Sequence, residues 1–201
     1  MKLNKKSPAP QSPKGIIFDC DGTLADTMPL HWRAWQVIAK KYKLHFPEDR
    51  FYSLGGVPSR DILKMLAKEQ GLTLDHIAAA HEKENEYLQF LPQVGPIHMV
   101  VEIARENFGK IPMAVASGGT QKIICDVLEH LQIRSLFGAV VTSEMVVNQK
   151  PAPDIFVEAA RRIGVDPKFC RGYEDTDLGL AAIRAAGMDA VDVRKLPRRR
   201  D

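Results

Sequence analysis

The pattern of apolar and polar positions divides the chain into a helical block and an alternating block. A short apolar run at residues 16–18 is typical of a buried strand. It is followed by residues 28–93, where apolar residues recur at helical spacing and no strand pattern is found. Three helices are predicted in this block, around Trp32 and Trp35, from Ser59 to just before Gly71, and over residues 74–91. We therefore expect a helical insertion directly after the first strand.

From residue 94 onward, predicted helices and strands alternate. The helices are expected over residues 97–108, 121–131, 153–163 and 178–186, and the strands over residues 111–116, 139–142, 169–173 and 190–193. Strands separated by helices of this length imply βαβ crossovers. The predicted fold class is therefore α/β, with a mostly parallel sheet and a small helical domain inserted after strand 1.

Two acidic residues follow the first strand at once. Asp19 and Asp21 are two residues apart, so their side chains point the same way in an extended chain. Ligands of open α/β sheets bind just beyond the carboxyl ends of the strands. Gly22 permits a tight turn there, and Thr23 adds a hydroxyl. Two carboxylates this close favour a bound divalent cation, although a solvated acidic turn is the alternative when the pair is taken alone.

Three later strands also end in polar residues. The hydroxyls and backbone N–H groups of residues 117–120 precede a helix, where they suit either an anion or an ordinary helix cap. Lys150 follows the next strand, and prolines after it stiffen the backbone. Glu174 and Asp175 follow the third. Together these strand ends bring acids, hydroxyls and one lysine to a single sheet edge, a set that would hold a phosphate and Mg²⁺ and supply a nucleophile.

Composition and charge narrow the class of protein. The 201 residues are 45% hydrophobic and 26% charged, which allows one core plus a small module. The formal charge is +3, but residues 1–14 and 194–201 each carry +4, so the region between them is at −5 and lacks the basic face of a nucleic-acid-binding domain. No apolar stretch is long enough to span a bilayer. Three cysteines without pairing or an export signal suggest a reducing, cytoplasmic setting.

In its motifs the chain resembles the haloacid dehalogenase (HAD) superfamily, and most closely the subgroup of β-phosphoglucomutases and fructose-1-phosphate phosphatases. The similarity covers residues 15–196 and rests on residues 19–23, Ser117, Lys150 and the Glu174-Asp175 pair, in that order. Residues 150–154 and 185–188 are similar to that subgroup in particular. The resemblance implies a Rossmann-like core of residues 15–27 and 94–196, a helical cap of residues 28–93, and basic tails at residues 1–14 and 197–201.

The resemblance also implies a role for each motif. Asp19 would be the nucleophile that forms an aspartyl phosphate, and Asp21 would be the general acid and base. Mg²⁺ would bind Asp19, the backbone carbonyl of Asp21 and Asp175, with Glu174 bound directly or through water. Lys150 would neutralise developing charge. The phosphate-binding residues would be Gly22, Thr23, Ser117, Gly118 and Gly119.

Four residues of the predicted cap are further candidates for substrate binding. In the subgroup a histidine at the position of His31 faces the active site, although an interfacial histidine without that role is also plausible. Gly56 and Arg60 resemble a cap loop whose arginine contacts substrate. Lys83 matches a cap lysine near the leaving oxygen, and a solvated helix face is its alternative.

Departures from the mutase pattern favour hydrolysis of a small phosphorylated sugar. In β-phosphoglucomutase, residues after the serine motif grip a second phosphate with a lysine, whereas residues 119–121 here carry no positive charge. A phosphatase is therefore the leading expectation and a β-phosphoglucomutase the second, with a monomer as the default state. Arg171 is a second departure, because a charge inside a parallel sheet is costly unless it is paired or reaches an exposed side.

Overall fold

The computed structural model describes residues 12–196 and confirms the predicted α/β fold. Its strands are β1 (Gly15–Phe18), β2 (Ala25–Asp26), β3 (Gly95–Pro96), β4 (Met113–Ser117), β5 (Ala139–Thr142), β6 (Cys170–Glu174) and β7 (Asp189–Asp192). Five of these strands form one parallel sheet in the order β5-β4-β1-β6-β7. Because β1 is central, the residues that follow it have a neighbouring strand end on each side.

The helices of the described chain fall into two groups along the sequence. They are α1 (Met28–Tyr42), α2 (Glu48–Ser53), α3 (Ser59–Gln70), α4 (His76–Leu88), α5 (His98–Asn107), α6 (Gln121–His130), α7 (Asp154–Arg162) and α8 (Asp177–Ala185). The last four helices cover the two faces of the sheet. Alternate residues of each strand point to opposite faces, so each strand contributes side chains to both. Ile16 and Phe18 pack in one core with α5 and α6, and Ile17 packs in a second core with α7 and α8.

The first four helices, residues 28–93, form a helical unit with its own apolar cluster. Trp35 of α1, Phe51 of α2 and Leu63 of α3 meet there at 4% exposure or less. Asp75 caps α4 by accepting hydrogen bonds from the N–H groups of Ile77 and Ala78. The short helix α2 was not predicted, since its six residues are too few to show a helical period.

A short strand pair joins the helical unit to the sheet. β2 and β3 are antiparallel, with Ala25 opposite Pro96 and Asp26 opposite Gly95. Two residues are too short for a strand pattern in the sequence, and this pair was not predicted. The chain therefore enters and leaves the helical unit at adjacent points.

Basic residues near both ends of the described chain are held by contacts. The Lys14 N–H donates to the carbonyl of Phe169 at 2.8 Å, and its ammonium lies 4.5 Å from the centre of that ring. Arg194 forms ion pairs with Asp177 at 2.7 Å and Asp192 at 2.8 Å. Lys14, the last residue of the predicted tail, thus packs against the core, whereas residues 1–11 and 197–201 lie outside the described residues.

Arg171 is paired within the sheet. Its Nε donates to Asp189 Oδ2 at 2.7 Å, and the two residues are direct partners between β6 and the edge strand β7. A quarter of the Arg171 side chain is exposed, so the charge reaches solvent as well as a carboxylate. The residue therefore has a structural explanation, and the strand around it is not shortened.

Candidate active site

A cavity of about 300 Å³ lies between the carboxyl edge of the sheet and the helical unit. Most of the candidate residues predicted from the sequence line it, from both sides: Asp19, Asp21, His31, Gly56, Arg60, Lys83, Ser117, Gly118 and Gly119. The remaining candidates do not form its wall and lie behind it around Asp19: Gly22, Thr23, Lys150, Glu174 and Asp175. The fold thus gathers residues from β1, β4, β6 and the loop after β5 at one place.

Lys150 lies at the centre of the polar residues behind the cavity. Its ammonium donates to Asp19 Oδ1 at 2.6 Å and to Glu174 Oε2 at 2.7 Å, and all three side chains are buried. Burial opposes the charged amine, but the two carboxylates outweigh it and raise the pKa of Lys150. The lysine is therefore a fixed positive charge beside Asp19.

The acids around Lys150 carry more negative charge than the lysine can balance. Carboxylate oxygens of Asp19, Glu174 and Asp175 all lie within 4.8 Å of one another. Burial and then the charge of Glu174 raise the pKa of Asp19 well above its usual range and that of Asp175 to about 7. Three carboxylates against one ammonium suit a hard divalent cation with oxygen ligands, so the donor set fits Mg²⁺.

Two glycines allow these acids to approach the backbone closely. A Cβ on Gly22, whose φ is +80°, would overlap the Asp175 carboxylate, and one on Gly179 would overlap that of Glu174. Glu174 Oε1 also accepts hydrogen bonds from the N–H and the hydroxyl of Thr176 at 3.0 and 2.8 Å. The carboxylates are therefore fixed in position by the surrounding backbone.

Asp21 points away from the acid cluster and toward the helical unit. Its Oδ1 accepts hydrogen bonds from Thr27 Oγ1 at 2.7 Å and His31 Nε2 at 3.2 Å, and Oδ2 accepts one from Ser117 Oγ at 3.3 Å. Burial alone would raise its pKa, but the hydrogen bond and charge of His31, with the Thr27 hydroxyl, lower the pKa to about 2. Asp21 is therefore ionised and held apart from Asp19.

Lys83 completes a chain of hydrogen bonds that ends on Asp21. Its ammonium donates to His31 Nδ1 at 2.8 Å, which leaves the Nε2–H of the neutral imidazole to donate to Asp21. Burial lowers the pKa of both groups, that of Lys83 to about 8. Because Lys83 is only 4% exposed, the alternative of a solvated helix face is wrong for this residue.

The loop after α2 packs directly on the end of β4. Gly56 has a φ of +83°, and its carbonyl lies so close to Gly118 that a Cβ there would overlap it. The Gly119 N–H donates to Ser117 Oγ at 3.1 Å. Arg60, from the start of α3, reaches the hydroxyl and the carbonyl of Ser143, both at 3.5 Å. The helical unit is thus closed over the sheet edge.

Sequence reasoning missed several residues that shape this site. Thr27 precedes α1 like an ordinary helix cap, yet its hydroxyl donates to Asp21. Tyr87 stacks on His31 with ring centres 3.9 Å apart, and its spacing of four from Lys83 on α4 could have revealed it. Glu84 and Glu144 line the cavity without a motif that would identify them.

Known proteins resemble this chain in sequence and in fold. Residues 16–193 match the family model for haloacid dehalogenase-like hydrolases. The chain is 41% identical over 183 residues to the fructose-1-phosphate phosphatase YqaB of Escherichia coli, covering 90% of this chain and 97% of that protein. It is 32% identical to the β-phosphoglucomutase of Bacillus subtilis, over 90% of this chain and 83% of that protein. The crystal structure of β-phosphoglucomutase from Clostridium difficile superimposes with a TM-score of 0.79 at 27% identity, covering 90% and 84% of the two chains.

Proposed function

Because the chain belongs to the haloacid dehalogenase-like hydrolase family, we propose that it is a Mg²⁺-dependent phosphatase acting on a small sugar phosphate that resembles fructose 1-phosphate. The observation that carries this proposal is the Asp19 carboxylate, which lines the cavity while Lys150 holds its Oδ1 at 2.6 Å. A nucleophile needs this combination of access to substrate and a fixed orientation. The similarity to a fructose-1-phosphate phosphatase supports the choice of substrate.

In the first step, an oxygen of Asp19 attacks the phosphorus of the ester and forms an aspartyl phosphate. The bond between phosphorus and the sugar oxygen breaks, and Asp21 donates a proton to that oxygen. The low pKa of Asp21, about 2, describes the site without substrate. A phosphate dianion bound between the two aspartates raises it, since a nearby negative charge disfavours the ionised carboxyl.

In the second step, water attacks the phosphorus and Asp21 accepts its proton. The bond between phosphorus and Asp19 breaks, which regenerates the carboxylate and releases inorganic phosphate. His31 and Lys83 position Asp21 on the cavity side through the hydrogen bonds that end at Oδ1. Ser117 and the backbone N–H of Gly118 provide donors for the phosphoryl oxygens.

The residues that would hold Mg²⁺ are Asp19, Glu174 and Asp175, with the backbone carbonyl of Asp21. When bound, the cation supplies the positive charge that offsets repulsion between the carboxylates and a phosphate dianion. Thr23 supports this arrangement by donating from Oγ1 to Asp175 Oδ1 at 2.9 Å. The helical unit acts as a cap that excludes bulk water while the phosphate is transferred.

A β-phosphoglucomutase is the second candidate, and the similarity to two such enzymes favours it. A mutase must hold a bisphosphate at both ends, whereas residues 119–121 of this chain supply no cation for the second phosphate. Conversion of β-glucose 1-phosphate to glucose 6-phosphate, primed by a hexose bisphosphate, would support the mutase. Phosphate release without priming would support the phosphatase.

The test of the proposal is phosphate release from a panel of sugar phosphates, with Mg²⁺ and after its removal by a chelator. We expect fructose 1-phosphate to be among the best substrates and Asp19→Asn to reduce the rate by roughly 10³-fold or more, since the variant lacks the nucleophile. Asp49→Asn, the same substitution at an exposed position of α2 outside the cavity, is the matched control.

Two further results decide the outcome. The Asp19→Asn protein should keep a melting temperature close to that of the wild type, because the neutral amide removes a carboxylate that burial disfavours. Release that persists in this folded variant would contradict the assignment of the nucleophile. Release that is unchanged by chelation would contradict the requirement for Mg²⁺.

A further inference from the structure

A carboxylate of this chain covers the helix start beside the cavity. Glu144, in the turn after β5, accepts a hydrogen bond at Oε2 from the backbone N–H of Gln121, the first residue of α6, at 2.6 Å. Its side chain also lines the cavity. The free N–H groups of a helix start are a favourable place for a phosphate. Here that place is taken by an acidic side chain.

A second carboxylate approaches the same point from the helical unit. Glu84 of α4 accepts a hydrogen bond from the hydroxyl of Thr120, the residue just before α6, at 3.4 Å. Burial raises the pKa of Glu84, the charges of Lys83 and His81 lower it, and the charge of Glu144 raises it, so the two carboxylates are close enough to repel each other. This end of the cavity therefore carries two negative charges.

Three basic residues also line the cavity: Arg60, His81 and Lys83. Arg60 contacts Ser143, the neighbour of Glu144, at 3.5 Å. Lys83 lines the cavity as well, but its ammonium lies on His31, on the side of Asp21. A phosphate dianion placed beside Thr120 would lie directly against the two carboxylates that occupy the helix start, which is an unfavourable contact. A hydroxyl group there would instead find two acceptors for a charge-assisted hydrogen bond.

We propose that Glu84 and Glu144 determine which phosphate esters this enzyme accepts: they exclude bisphosphates and bind the hydroxyl groups at the neutral end of a sugar or open-chain polyol monophosphate. This inference rests on the proposed phosphatase function and deepens it. The cavity of about 300 Å³ is at the lower end of the range for ligand pockets, which matches a small monophosphate.

The test compares fructose 1-phosphate with fructose 1,6-bisphosphate, which share the phosphate at carbon 1 and differ by one at the far end. We would measure kcat/KM for both esters with the wild type, Glu84→Gln, Glu144→Gln and the double variant. Glutamine keeps the size of the side chain and an accepting oxygen but removes the charge. Glu129→Gln is the matched control, because Glu129 lies on α6, exposed and outside the cavity.

We expect the wild type to favour the monophosphate. Each substitution should raise the ratio of kcat/KM for bisphosphate over monophosphate by about tenfold, as removal of one charge near a dianion predicts. The double variant should raise it further, and Glu129→Gln should leave it unchanged. If Glu144→Gln does not fold, Glu84→Gln alone still tests the inference.

Binding to the Asp19→Asn protein provides a readout that needs no turnover. Calorimetry with the two esters should show weaker binding of the bisphosphate, and this difference should shrink when Glu84→Gln or Glu144→Gln is added. If the preference for monophosphate over bisphosphate is the same in the wild type and in the variants, both in kcat/KM and in binding, the inference is overturned while the phosphatase function remains intact. Preferential binding without phosphate release by the wild type would support the inference and contradict the proposed function.

Discussion

Lys83 shows how a single residue can serve a site at the expense of stability. Its ammonium is buried to 4% exposure, and it is held there by His31. Burial lowers its pKa from 10.5 to about 8, so the folded protein disfavours the charged amine. The hydrogen bonds from Lys83 through His31 help to fix Asp21 toward the cavity, together with those from Thr27 and Ser117. We infer that this position is retained for the sake of Asp21.

Replacing Lys83 should therefore separate stability from activity. We expect Lys83→Met to raise the free energy of unfolding at pH 7 by about 2 kcal/mol. The lowering of the Lys83 pKa from 10.5 to about 8 corresponds to a destabilisation of roughly 3 kcal/mol that the substitution removes. The lost hydrogen bond to His31 offsets about 1 kcal/mol of this gain. The destabilisation caused by the buried ammonium is full below about pH 8 and decreases as the pH rises toward 10.5. The stability gained by the variant should therefore vanish over that interval. Urea denaturation at several pH values measures it.

Lys64→Met on the exposed face of α3 is the control for a change of hydrophobicity alone. The same Lys83→Met protein should lose phosphatase activity, chiefly in kcat, because Asp21 is no longer held in place. A variant that is less stable than the wild type at pH 7 would show that the ammonium contributes favourably. That outcome would contradict the physical argument given for Lys83.

At this scale the sequence predicted which groups the fold gathers at the sheet edge but not their immediate surroundings. Asp19, Lys150 and Asp175 follow strand ends, so the topology of the sheet already brings them together. The burial of Lys83 was not predictable from its neighbours, which are mostly charged. The contact between Glu144 and Gln121 joins residues 23 apart, and it depends on how two loops meet. Local patterns carry no information on such contacts.

At the scale of elements, the contact between the loop after α2 and the end of β4 decides how the helical unit sits on the sheet. The carbonyl of Gly56 fills the space where a side chain on Gly118 would lie. Gly55 makes a similar approach, since a Cβ there would press against the methyl group of Thr176. The closed arrangement therefore depends on glycine on both sides.

Adding one methyl group at Gly118 should hold the helical unit open. We expect Gly118→Ala to lower kcat/KM by roughly 10²-fold, the effect of a displacement of about 1 Å at a reacting centre. The melting temperature should fall only modestly, because the helical unit keeps its own apolar cluster around Trp35 even though Leu30 and Tyr87 pack in the core beside the sheet. Gly138→Ala is the control, since a Cβ there makes an ordinary contact with the Met113 carbonyl at 3.7 Å. Full activity in Gly118→Ala would mean that this contact is not needed for turnover.

The elements themselves were predicted with uneven success. The strands and helices after residue 94 agree with their predicted positions to within about two residues, because each is long enough to show its period. The helix α2 and the pair β2–β3 were missed, since each is shorter than one clear repeat. Among the described helices, none is long and apolar enough to cross a membrane.

At the scale of the whole molecule, the unbalanced acids make stability depend on pH and would couple it to a cation bound at the cluster. The pKa of Asp175 is raised from 3.8 to about 7, so ionisation of this group destabilises the folded protein as the pH rises through that interval. A cation at the cluster would remove this penalty and add its own binding free energy. We therefore expect the stability of the folded state to respond to Mg²⁺ as well as to pH.

We expect Mg²⁺ to raise the melting temperature, and to raise it more at pH 7.5 than at pH 5. A free concentration 100-fold above Kd stabilises the folded state by about 2.7 kcal/mol, which corresponds to roughly 5–10 °C for a chain of this size. Differential scanning fluorimetry with and without chelator measures the shift. Asp175→Asn should abolish most of it and Asp49→Asn should not. Equal shifts in both variants would place the cation elsewhere.

The strand pair β2–β3 has a consequence for how such enzymes can diversify. Because Ala25 lies opposite Pro96, the two ends of the helical unit leave the sheet side by side. Any module whose own ends are a few ångströms apart could be grafted at this junction without stretching the framework beneath it. Asp19 and Asp21 would keep their positions at the sheet edge, while the helical unit above them, and with it part of the cavity wall, was exchanged. The residues at the sheet edge and the residues of the helical unit can thus change independently of each other within one chain.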